Sequence, residues 1–534
     1  MNSRLQSSSI LLFAVAVWAG FLFVRATGPD DLYSRDQIKV AGYVLDIIEN
    51  DSWLWQQDHN GNFASKPPLT QWLGAVATKA YGQFHRMTLT FPSWLASLIT
   101  ILLLVGWTAQ QFGRIAAMWV PLLLLANNMG LRQILLARSD TLFQCSIVLL
   151  TLGAWHAWMD RGKWGWIFVG ALAALMTKGP LGILIGLLGL VAVFLRPRTT
   201  GDKKVEESEN EQPTLPWLGI GGTVLLACLL PALWLYSANS DSQGLAVEKL
   251  LHDELINHAV GERTAENQQV WWHHLLPVAW FLSRLAPAGL LAVAALVRIF
   301  RKPETDARKR DAEYFMACWL LGGLLLLCLA THHRFVHLLA ILPPTAVLAA
   351  RQISHWSTSE RRSLMWALVT CSSILPLAAV YLDVIDFRSK DIVRTRESAT
   401  FVEAAQKEAG SGARFEFYEC HPGVQVHLGT HRPPIRINDL SATLESDDPI
   451  YVVTQKERDL KERAGRQGVR FFDVAVRSDY ADGEIVMIAS KGASGAPRSP
   501  ARRFPDTRIL TLMAIATAVT LYGFQKYAQH RLNA

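Results

Sequence analysis

The sequence predicts a polytopic α-helical membrane protein that carries a small α/β soluble domain. Of its 534 residues, 51% are hydrophobic and 18% are charged, whereas typical soluble proteins are about one quarter charged. A bilayer crossing needs roughly 17–25 residues, and apolar runs near this length recur along the chain, which predicts about twelve spans. The runs are residues 9–24, 91–109, 115–130, 141–158, 164–177, 180–195, 217–236, 275–297, 313–330, 335–350, 363–382 and 508–525.

The basic residues predict how these spans are oriented. With a cytoplasmic N-terminus, every alternate loop carries arginine or lysine, as the positive-inside rule requires. This works only if residues 67–84, which open with two prolines, lie as a helix in the membrane interface. The first run has no small-residue cleavage site after it and is interpreted as an uncleaved span. The net charge of +7 is then mostly cytoplasmic lipid anchoring, and nucleic-acid binding is not indicated.

Three regions follow from this topology. Residues 1–384 form the transmembrane domain, with residues 26–90 as its first exported loop. Residues 385–500 form an extracytoplasmic α/β domain, and residues 501–534 add a last span and a cytoplasmic tail. Within the α/β domain, the patterns predict helices over 401–409 and 456–467 and strands over 414–418, 449–453, 471–475 and 484–488.

Cysteine and histidine spacing predicts neither a disulfide framework nor a metal site. The chain has six cysteines, no CxxC motif and no evident metal-ligand spacing. Cys420 is the one cysteine of the exported α/β domain, so no disulfide is expected within it. His258, His273 and His274 are interpreted as interfacial residues rather than metal ligands.

Ionisable residues in the exported segments are the strongest functional signal. Asp36, Lys66 of Lys66-Pro67-Pro68, and Asp140 all fall in short hydrophilic breaks beside apolar runs. The predicted topology puts them on one face of the membrane. Ionisable groups at membrane depth are costly, so their convergence from independent loops indicates a functional site. A lysine and two carboxylates are suited to binding a phosphate and activating a hydroxyl.

The order of motifs adds a family resemblance. The motifs are Asp36-Gln37, Ser65-Lys66-Pro67-Pro68, Arg138-Ser139-Asp140, Lys178-Gly179-Pro180, His258 to Arg263, Trp271-Trp272, and Arg334 before Pro343-Pro344. Each is weak alone, but the ordered set is rather specific. Over about residues 1–385 the chain resembles the polyprenyl-phosphate-dependent glycosyltransferases of the GT-C class. This class includes the aminoarabinose transferase of lipid A and, more distantly, the protein O-mannosyltransferases.

The resemblance implies a GT-C fold and a membrane glycosyltransferase. The donor would be a sugar linked to polyprenyl phosphate, and the acceptor a lipid A-like lipid, a glycan or a protein. The enzyme would lie in the bacterial inner membrane with its site on the periplasmic face. A direct displacement would invert the anomeric centre, and nothing in the sequence requires a covalent intermediate.

Roles for individual residues follow from this reaction. Asp36 is the first choice for activating the acceptor, and Asp140 would orient a lysine or a sugar hydroxyl. Lys66, with Arg263 and Arg334, would stabilise charge on the departing phosphate. Further donor or acceptor contacts are predicted for three more residues. They are Arg138, Lys178 and His333.

Two departures and several alternatives stay open. Gln37 and Ser65 stand where relatives often have glutamate, which leaves the acceptor and the need for a divalent metal ion undecided. Asp36 could be a solvated loop residue, Lys66 could extend towards lipid headgroups, and Asp140 could cap the following span. A protein O-mannosyltransferase is the nearest rival function. A polyprenyl-lipid transporter ranks lower, because no repeat or midplane polar site is visible.

Overall fold

The computed structural model describes the chain in two parts, a bundle of helices and a small sheet. The described residues are 2–27, 32, 34–195, 215–250, 271–330, 333–357, 390–410, 413–469, 472–480 and 483–493. The predicted spans over 363–382 and 508–525 lie outside them, as does Arg263. Within these described ranges, five helices are long and apolar enough to cross a membrane by length and composition, or up to six if one bent pair is counted as a span. The chain is a membrane protein, and about twelve spans stays a prediction.

Helices α1 to α13 make up the first half of the bundle. They are α1 (Asn2–Thr27), α2 (Arg35–Asn50), α3 (Leu69–Tyr81), α4 (Arg86–Leu89), α5 (Phe91–Phe112), α6 (Arg114–Leu125), α7 (Asn128–Gln133), α8 (Asp140–Asp160), α9 (Trp164–Lys178), α10 (Leu181–Leu187), α11 (Ala192–Leu195), α12 (Trp217–Asp241) and α13 (Leu245–Val247). A 3-10 segment, Leu188–Val191, joins α10 to α11.

Helices α14 to α17 complete the bundle, and α18 to α21 belong to the sheet region. They are α14 (Leu276–Arg284), α15 (Ala288–Arg301), α16 (Ala307–Leu329), α17 (Leu342–Ser357), α18 (Lys390–Ala409), α19 (Pro422–Leu428), α20 (Leu440–Leu444) and α21 (Glu457–Arg466). Further 3-10 turns cover Trp271–Leu275, Phe335–Ala340 and Ile437–Asp439.

Helix α8 lies at the centre of the bundle and α12 at its edge. In the most apolar 18-residue segment of each helix, 83% of α8 is buried but only 17% of α12 is. The exposed leucines of α12 can therefore face lipid. Helices α8 and α9 pack closely because glycines remove side-chain bulk between them. A Cβ added to Gly170 would lie 2.4 Å from Leu150 N, and one at Gly153 would lie 2.8 Å from Ile167 N. The short connection at 161–163 therefore brings the C-terminus of α9 back beside the N-terminus of α8.

The predicted span over 275–297 contains a sharp bend. The structure breaks it into α14 and α15, which meet at 105° around Leu285 to Pro287. Prolines remove a backbone donor and clash with the preceding turn, which accounts for a sharp break at Pro287. The helix predicted within 67–84 forms as α3. It buries Thr70, Gln71 and Thr78 against the protein.

The sheet has the order β1-β2-β4-β3. Its strands are β1 (Arg414–Tyr418), β2 (Ile450–Thr454), β3 (Asp473–Tyr480) and β4 (Gly483–Ala489), which confirms the four predicted strands. Strands β1 and β2 are parallel, and β4 pairs antiparallel with both β2 and β3. The predicted helices form as the C-terminal part of α18 and as α21. Helix α19 was not predicted, and its buried Val426 packs with Leu32 and Ile38 from the first loop region.

Candidate functional site

Helix α2 presents the first carboxylate. It begins directly after Ser34, so Asp36 lies in its first turn, where a negative charge is favoured by the helix dipole. The Asp36 side chain is 46% exposed, and its Oδ2 lies 2.8 Å from Arg138 Nη2. Asp36 is therefore an exposed group that is already oriented by an arginine.

Arg138 joins the two predicted carboxylates. Besides the contact with Asp36, its Nε lies 3.0 Å from Asp140 Oδ2, and its own side chain is 22% exposed. A planar guanidinium can engage two carboxylates at once because its donors form a rigid fork. Arg138 thus bridges α2 and α8 from the loop that connects α7 to α8.

Asp140 is the buried member of the site. Its side chain is 3% exposed and forms an ion pair with Lys178 Nζ as well as with Arg138. Lys178 ends α9, and its ammonium also lies 5.4 Å from the ring centroid of Phe143. Asp140 occupies the first residue of α8, and no side-chain cap forms at Ser139. Its side chain is committed to two cations, so ion pairing, rather than capping, accounts for its position.

Lys66 lies in the loop just before α3. Its side chain is exposed to solvent, yet burial by the surrounding protein lowers its pKa to about 8, with the nearby charges of Lys178 and Arg138 lowering it further. Asp140 and Asp36 partly oppose this shift. The charges of Lys178, Arg138, Asp140 and Asp36 all act on this ammonium, so Lys66 shares one electrostatic environment with the other predicted site residues.

Arg334 reaches the same group from the segment before α17. Its Nη1 lies 3.9 Å from Asp36 Oδ2, and its side chain is 55% exposed. His333 makes a different contact, an edge-on arrangement with His274 at 5.4 Å between ring centroids. Burial, and then the neighbouring His274, lowers the pKa of His333.

The charges of this cluster do not balance. Four basic side chains, Lys66, Arg138, Lys178 and Arg334, surround two carboxylates, Asp36 and Asp140. With the lysines protonated, the excess is two positive charges. A site with this excess attracts an anion such as a phosphate.

The two carboxylates of the cluster are already paired with cations. Both oxygens of Asp140 face cations, and Asp36 faces two arginines. Among the residues that the structure describes, no group of three or more histidine, cysteine, aspartate or glutamate side chains is arranged to hold a metal ion.

The structure brings together six of the predicted residues, Asp36, Lys66, Arg138, Asp140, Lys178 and Arg334. It does not bring His333 into their ion pairs, and Arg263 lies outside the described residues. Two supporting residues were not assigned from the sequence. Gln37 and Ser93 bind the backbone beside Arg138. The sequence marks Gln37 only as a departure from a family pattern. Ser93 gives no signal, because it is one serine within an apolar helix.

Comparisons with known proteins agree with the resemblance predicted from the motifs. A family model described as dolichyl-phosphate-mannose-protein mannosyltransferase matches residues 65–234. The undecaprenyl phosphate-alpha-4-amino-4-deoxy-L-arabinose arabinosyl transferase of Pectobacterium atrosepticum is 22% identical over 367 residues, covering 66% of this chain and 61% of that protein. A transferase of the same description from Pseudomonas fluorescens is 21% identical over 341 residues, covering 61% and 54%. The chain thus spans less than two thirds of the length of these two relatives.

Solved structures show the same fold. The crystal structure of ArnT from Cupriavidus metallidurans bound to undecaprenyl phosphate has a TM-score of 0.64 at 13% identity, covering 93% of this chain and 100% of that chain. The apo form has a TM-score of 0.62 at 14% identity, covering 92% and 98%. The resemblance to the GT-C class is confirmed, and the chain has the GT-C fold with a small sheet.

Proposed function

We propose that this chain is a membrane glycosyltransferase that moves a sugar from a polyprenyl-phosphate donor to a lipid A-like lipid or a glycan. The excess of two positive charges around Asp36 and Asp140 is the observation that carries the proposal. A donor phosphodiester has one negative charge, and the departing polyprenyl phosphate gains a second. The cationic surplus therefore complements the product-like charge that develops during transfer.

The proposed reaction is a single displacement. The acceptor oxygen attacks the anomeric carbon, the bond from that carbon to the phosphate oxygen breaks, and its electron pair stays on the phosphate. Lys66 and Arg334 are exposed and would contact the phosphate, while the buried Asp140 holds Lys178 and Arg138 in place. Attack from the opposite side inverts the anomeric centre.

Asp36 is the proposed acceptor-activating residue. Its recorded ion pairs both use Oδ2, so Oδ1 is left to accept the proton of the acceptor hydroxyl. The two arginines orient the carboxylate, because Arg138 and Arg334 approach it at 2.8 and 3.9 Å.

The acceptor class rests on the relatives. The curated relatives are named as arabinosyl transferases that use an undecaprenyl-phosphate amino sugar, which supports a lipid A-like acceptor. A protein O-mannosyltransferase is the second candidate, favoured by the family model that matches residues 65–234. A polyprenyl-phosphate-linked donor is common to both.

We also propose the bacterial inner membrane as the location, with the site on the periplasmic face. The support is the alternation of basic loops along the sequence, which assigns the segments carrying Asp36, Lys66 and Asp140 to the exported side. Labelling single cysteines with a membrane-impermeant reagent tests this. Positions 208 and 430 should react from opposite sides.

The decisive experiment uses the purified full chain with radiolabelled undecaprenyl-phosphate sugars. Transfer to lipid, glycan or protein fractions would be followed by chromatography and mass spectrometry. Lys66→Ala should lower turnover by about 10²–10³-fold, because one charge-stabilising contact is lost. Its solvent-exposed position means that the variant should keep its melting temperature. Near-normal turnover with Lys66→Ala would refute phosphate binding by this lysine.

The matched control is Lys79→Ala. Lys79 is also a lysine of the first loop region, but its partner is the exposed Asp51, at 3.1 Å. An exposed ion pair of this kind contributes little. Its removal should leave transfer unchanged, and a loss equal to that of Lys66→Ala would point to a general charge effect.

A further inference from the structure

Gln37 is buried, whereas the side chain of its neighbour Asp36 is exposed. It is 2% exposed, and its Oε1 accepts a hydrogen bond from the Ala137 N–H at 3.0 Å. Consecutive residues on a helix point about 100° apart, so α2 presents Asp36 to the charged cluster and Gln37 to the protein interior. Gln37 stands where relatives often have glutamate. One of its contacts is with the backbone next to Arg138.

A second side chain holds the same turn from another helix. Ser93 Oγ, on α5, lies 2.6 Å from Leu136 O and 3.2 Å from Arg138 O. Within the turn, the Arg138 N–H donates to Leu136 O at 2.9 Å. Ser93 is 1% exposed, so these polar groups pair away from water. The backbone of residues 136–138, from which the Arg138 side chain extends, is thus held by Gln37 of α2 and Ser93 of α5.

We propose that Gln37 and Ser93 are positioning residues that aim the Arg138 guanidinium between Asp36 and Asp140. The inference rests on the proposed function, because it concerns the geometry of the proposed charge-stabilising group. Arg138 must meet two carboxylates, at 2.8 and 3.0 Å, from a single backbone position. A shift of about 1 Å in such a group can cost on the order of 10²-fold in rate.

The neutral amide at position 37 also preserves the charge excess. A glutamate there could accept the same Ala137 hydrogen bond, but it would add a third carboxylate beside Arg138. The surplus of the cluster would then fall from two positive charges to one. Position 37 therefore tests geometry and charge separately. Gln37→Met removes the acceptor at similar volume, whereas Gln37→Glu keeps the acceptor and adds the charge.

The test combines transfer kinetics with hydrogen exchange in the purified full chain. Gln37→Met should lower kcat by about 10–10²-fold and increase amide exchange in peptides that cover residues 134–139. Ser93→Ala should change both in the same direction, by less. Gln37→Glu should keep the wild-type exchange but raise the KM for the anionic donor.

A double-mutant cycle separates positioning from general damage. If Gln37 acts through Arg138, the double variant Gln37→Met with Arg138→Ala should be no slower than Arg138→Ala alone. Independent, additive losses would overturn the proposal, as would unchanged exchange at 134–139 in Gln37→Met.

The matched control is Gln352→Met at the other end of the bundle. Gln352 is also 2% exposed, and its Oε1 accepts from Arg298 Nε at 3.0 Å. It should lower the melting temperature without changing kcat per folded molecule. Exchange does not depend on transfer, so absence of transfer in the wild-type chain would refute the proposed function while exchange still decides whether Gln37 holds the turn.

Discussion

Two ion-pair clusters lie at opposite ends of α8 and differ in their charge balance. The candidate site surrounds Asp140, at the start of the helix, and Asp160 at its end pairs with Arg308 of α16 at 3.0 Å. A helix of this length separates its ends by about 30 Å. Near this second end lies the group that we call the second cluster, which consists of Glu313, Arg298, Arg351 and Glu304. Glu313 Oε1 accepts from Arg298 at 2.6 Å and from Arg351 at 2.9 Å.

The second cluster is balanced and closed. Arg351 also pairs with Glu304 at 2.5 Å, so two arginines meet two glutamates. The Glu313 side chain is 1% exposed, and the Arg351 guanidinium lies 5.2 Å from the Phe112 ring centroid. Burial and ion pairing therefore occur at both ends. The unbalanced charge and the exposed Lys66, Asp36 and Arg334 distinguish a site that can bind an anion from a cluster that braces helices.

Asp36→Asn should produce the largest functional change, and it tests whether the cluster around Asp140 is a functional site. The amide keeps the shape but removes the base, so turnover should fall by about 10²–10⁴-fold while donor binding survives. Steady-state kinetics over a range of donor concentrations separate turnover from donor affinity.

Asp36→Asn should also leave the melting temperature nearly unchanged, because the side chain is 46% exposed. Loss of donor affinity with normal turnover at saturation would make Asp36 a binding residue. Proton acceptance would then have to be assigned to Asp140 or to the departing phosphate.

Glu313→Gln should give the opposite pattern. Removal of one partner leaves Arg298 and Arg351 facing each other without the buried carboxylate, and breaking such a pair costs about 3–5 kcal/mol. Thermal unfolding in detergent should show a clear decrease in Tm. Transfer per folded molecule should stay at the wild-type value. A large fall in kcat without a change in Tm would contradict the distinction between the two clusters.

The sequence predicted the first cluster better than the second for a physical reason. Lys66, Asp36 and Asp140 interrupt apolar runs at predicted membrane boundaries, where a charge is costly and therefore informative. Arg298 lies among the basic residues of a predicted cytoplasmic loop, where charges are common, and Glu313 directly follows that loop. Their pairing depends on how α15, α16 and α17 pack, which no local pattern reveals.

The bend at Pro287 and the role of Gln37 were missed for a related reason. An apolar run has the same composition whether it is straight or broken at 105°. A buried glutamine gives no periodic signal, because its value depends on Ala137, a hundred residues away in sequence. By contrast, the four strands were predictable, since each is a short β-rich run bounded by turn residues.

The pH dependence of donor binding should also distinguish the candidate site from the second cluster. Because the pKa of Lys66 is lowered to about 8 by burial and by neighbouring cations, its ammonium loses the proton in the free protein as pH rises through that value. A bound phosphate favours the charged form, so binding must weaken above pH about 8. We expect kcat/KM to fall up to tenfold per pH unit there, which reports the free enzyme.

Lys66→Arg is the matching variant for this limb. A guanidinium stays protonated throughout the accessible range, so the fall should move to higher pH even if the maximal rate is lower. Kinetics with saturating acceptor at pH 7 to 10 would measure it. An identical alkaline limb in both proteins would assign the titration to another group.

A third polar contact brings two histidine rings together. His59 of the first loop lies 2.9 Å from Thr430 O through Nε2, and its ring is 4.8 Å from that of His431. Thr430 and His431 follow α19, so this contact joins the sheet region to the first loop. We call the group of His59, Thr430 and His431 the seam. The His431 N–H also donates to Glu49 Oε2 at 2.9 Å. The carbonyl acceptor requires His59 to carry its proton on Nε2.

Acidification should loosen this seam, which is the smallest effect expected. Burial lowers the pKa of His59 to about 4, with His431 lowering it further and Thr430, Asp58 and Asp46 opposing the shift. The folded state favours the neutral ring, so its contribution is complete above pH about 6.5 and is lost as pH falls towards 4. At pH 5 the loss is about 2 kcal/mol, or roughly 30-fold in the opening equilibrium. Hydrogen exchange of peptides covering 425–432 should increase accordingly at low pH, with peptides of β2 as the reference. His59→Gln should remove most of this pH dependence, because a glutamine can donate to Thr430 without titrating. Equal protection of the wild-type seam at pH 7.5 and pH 5 would show that His59 does not control it.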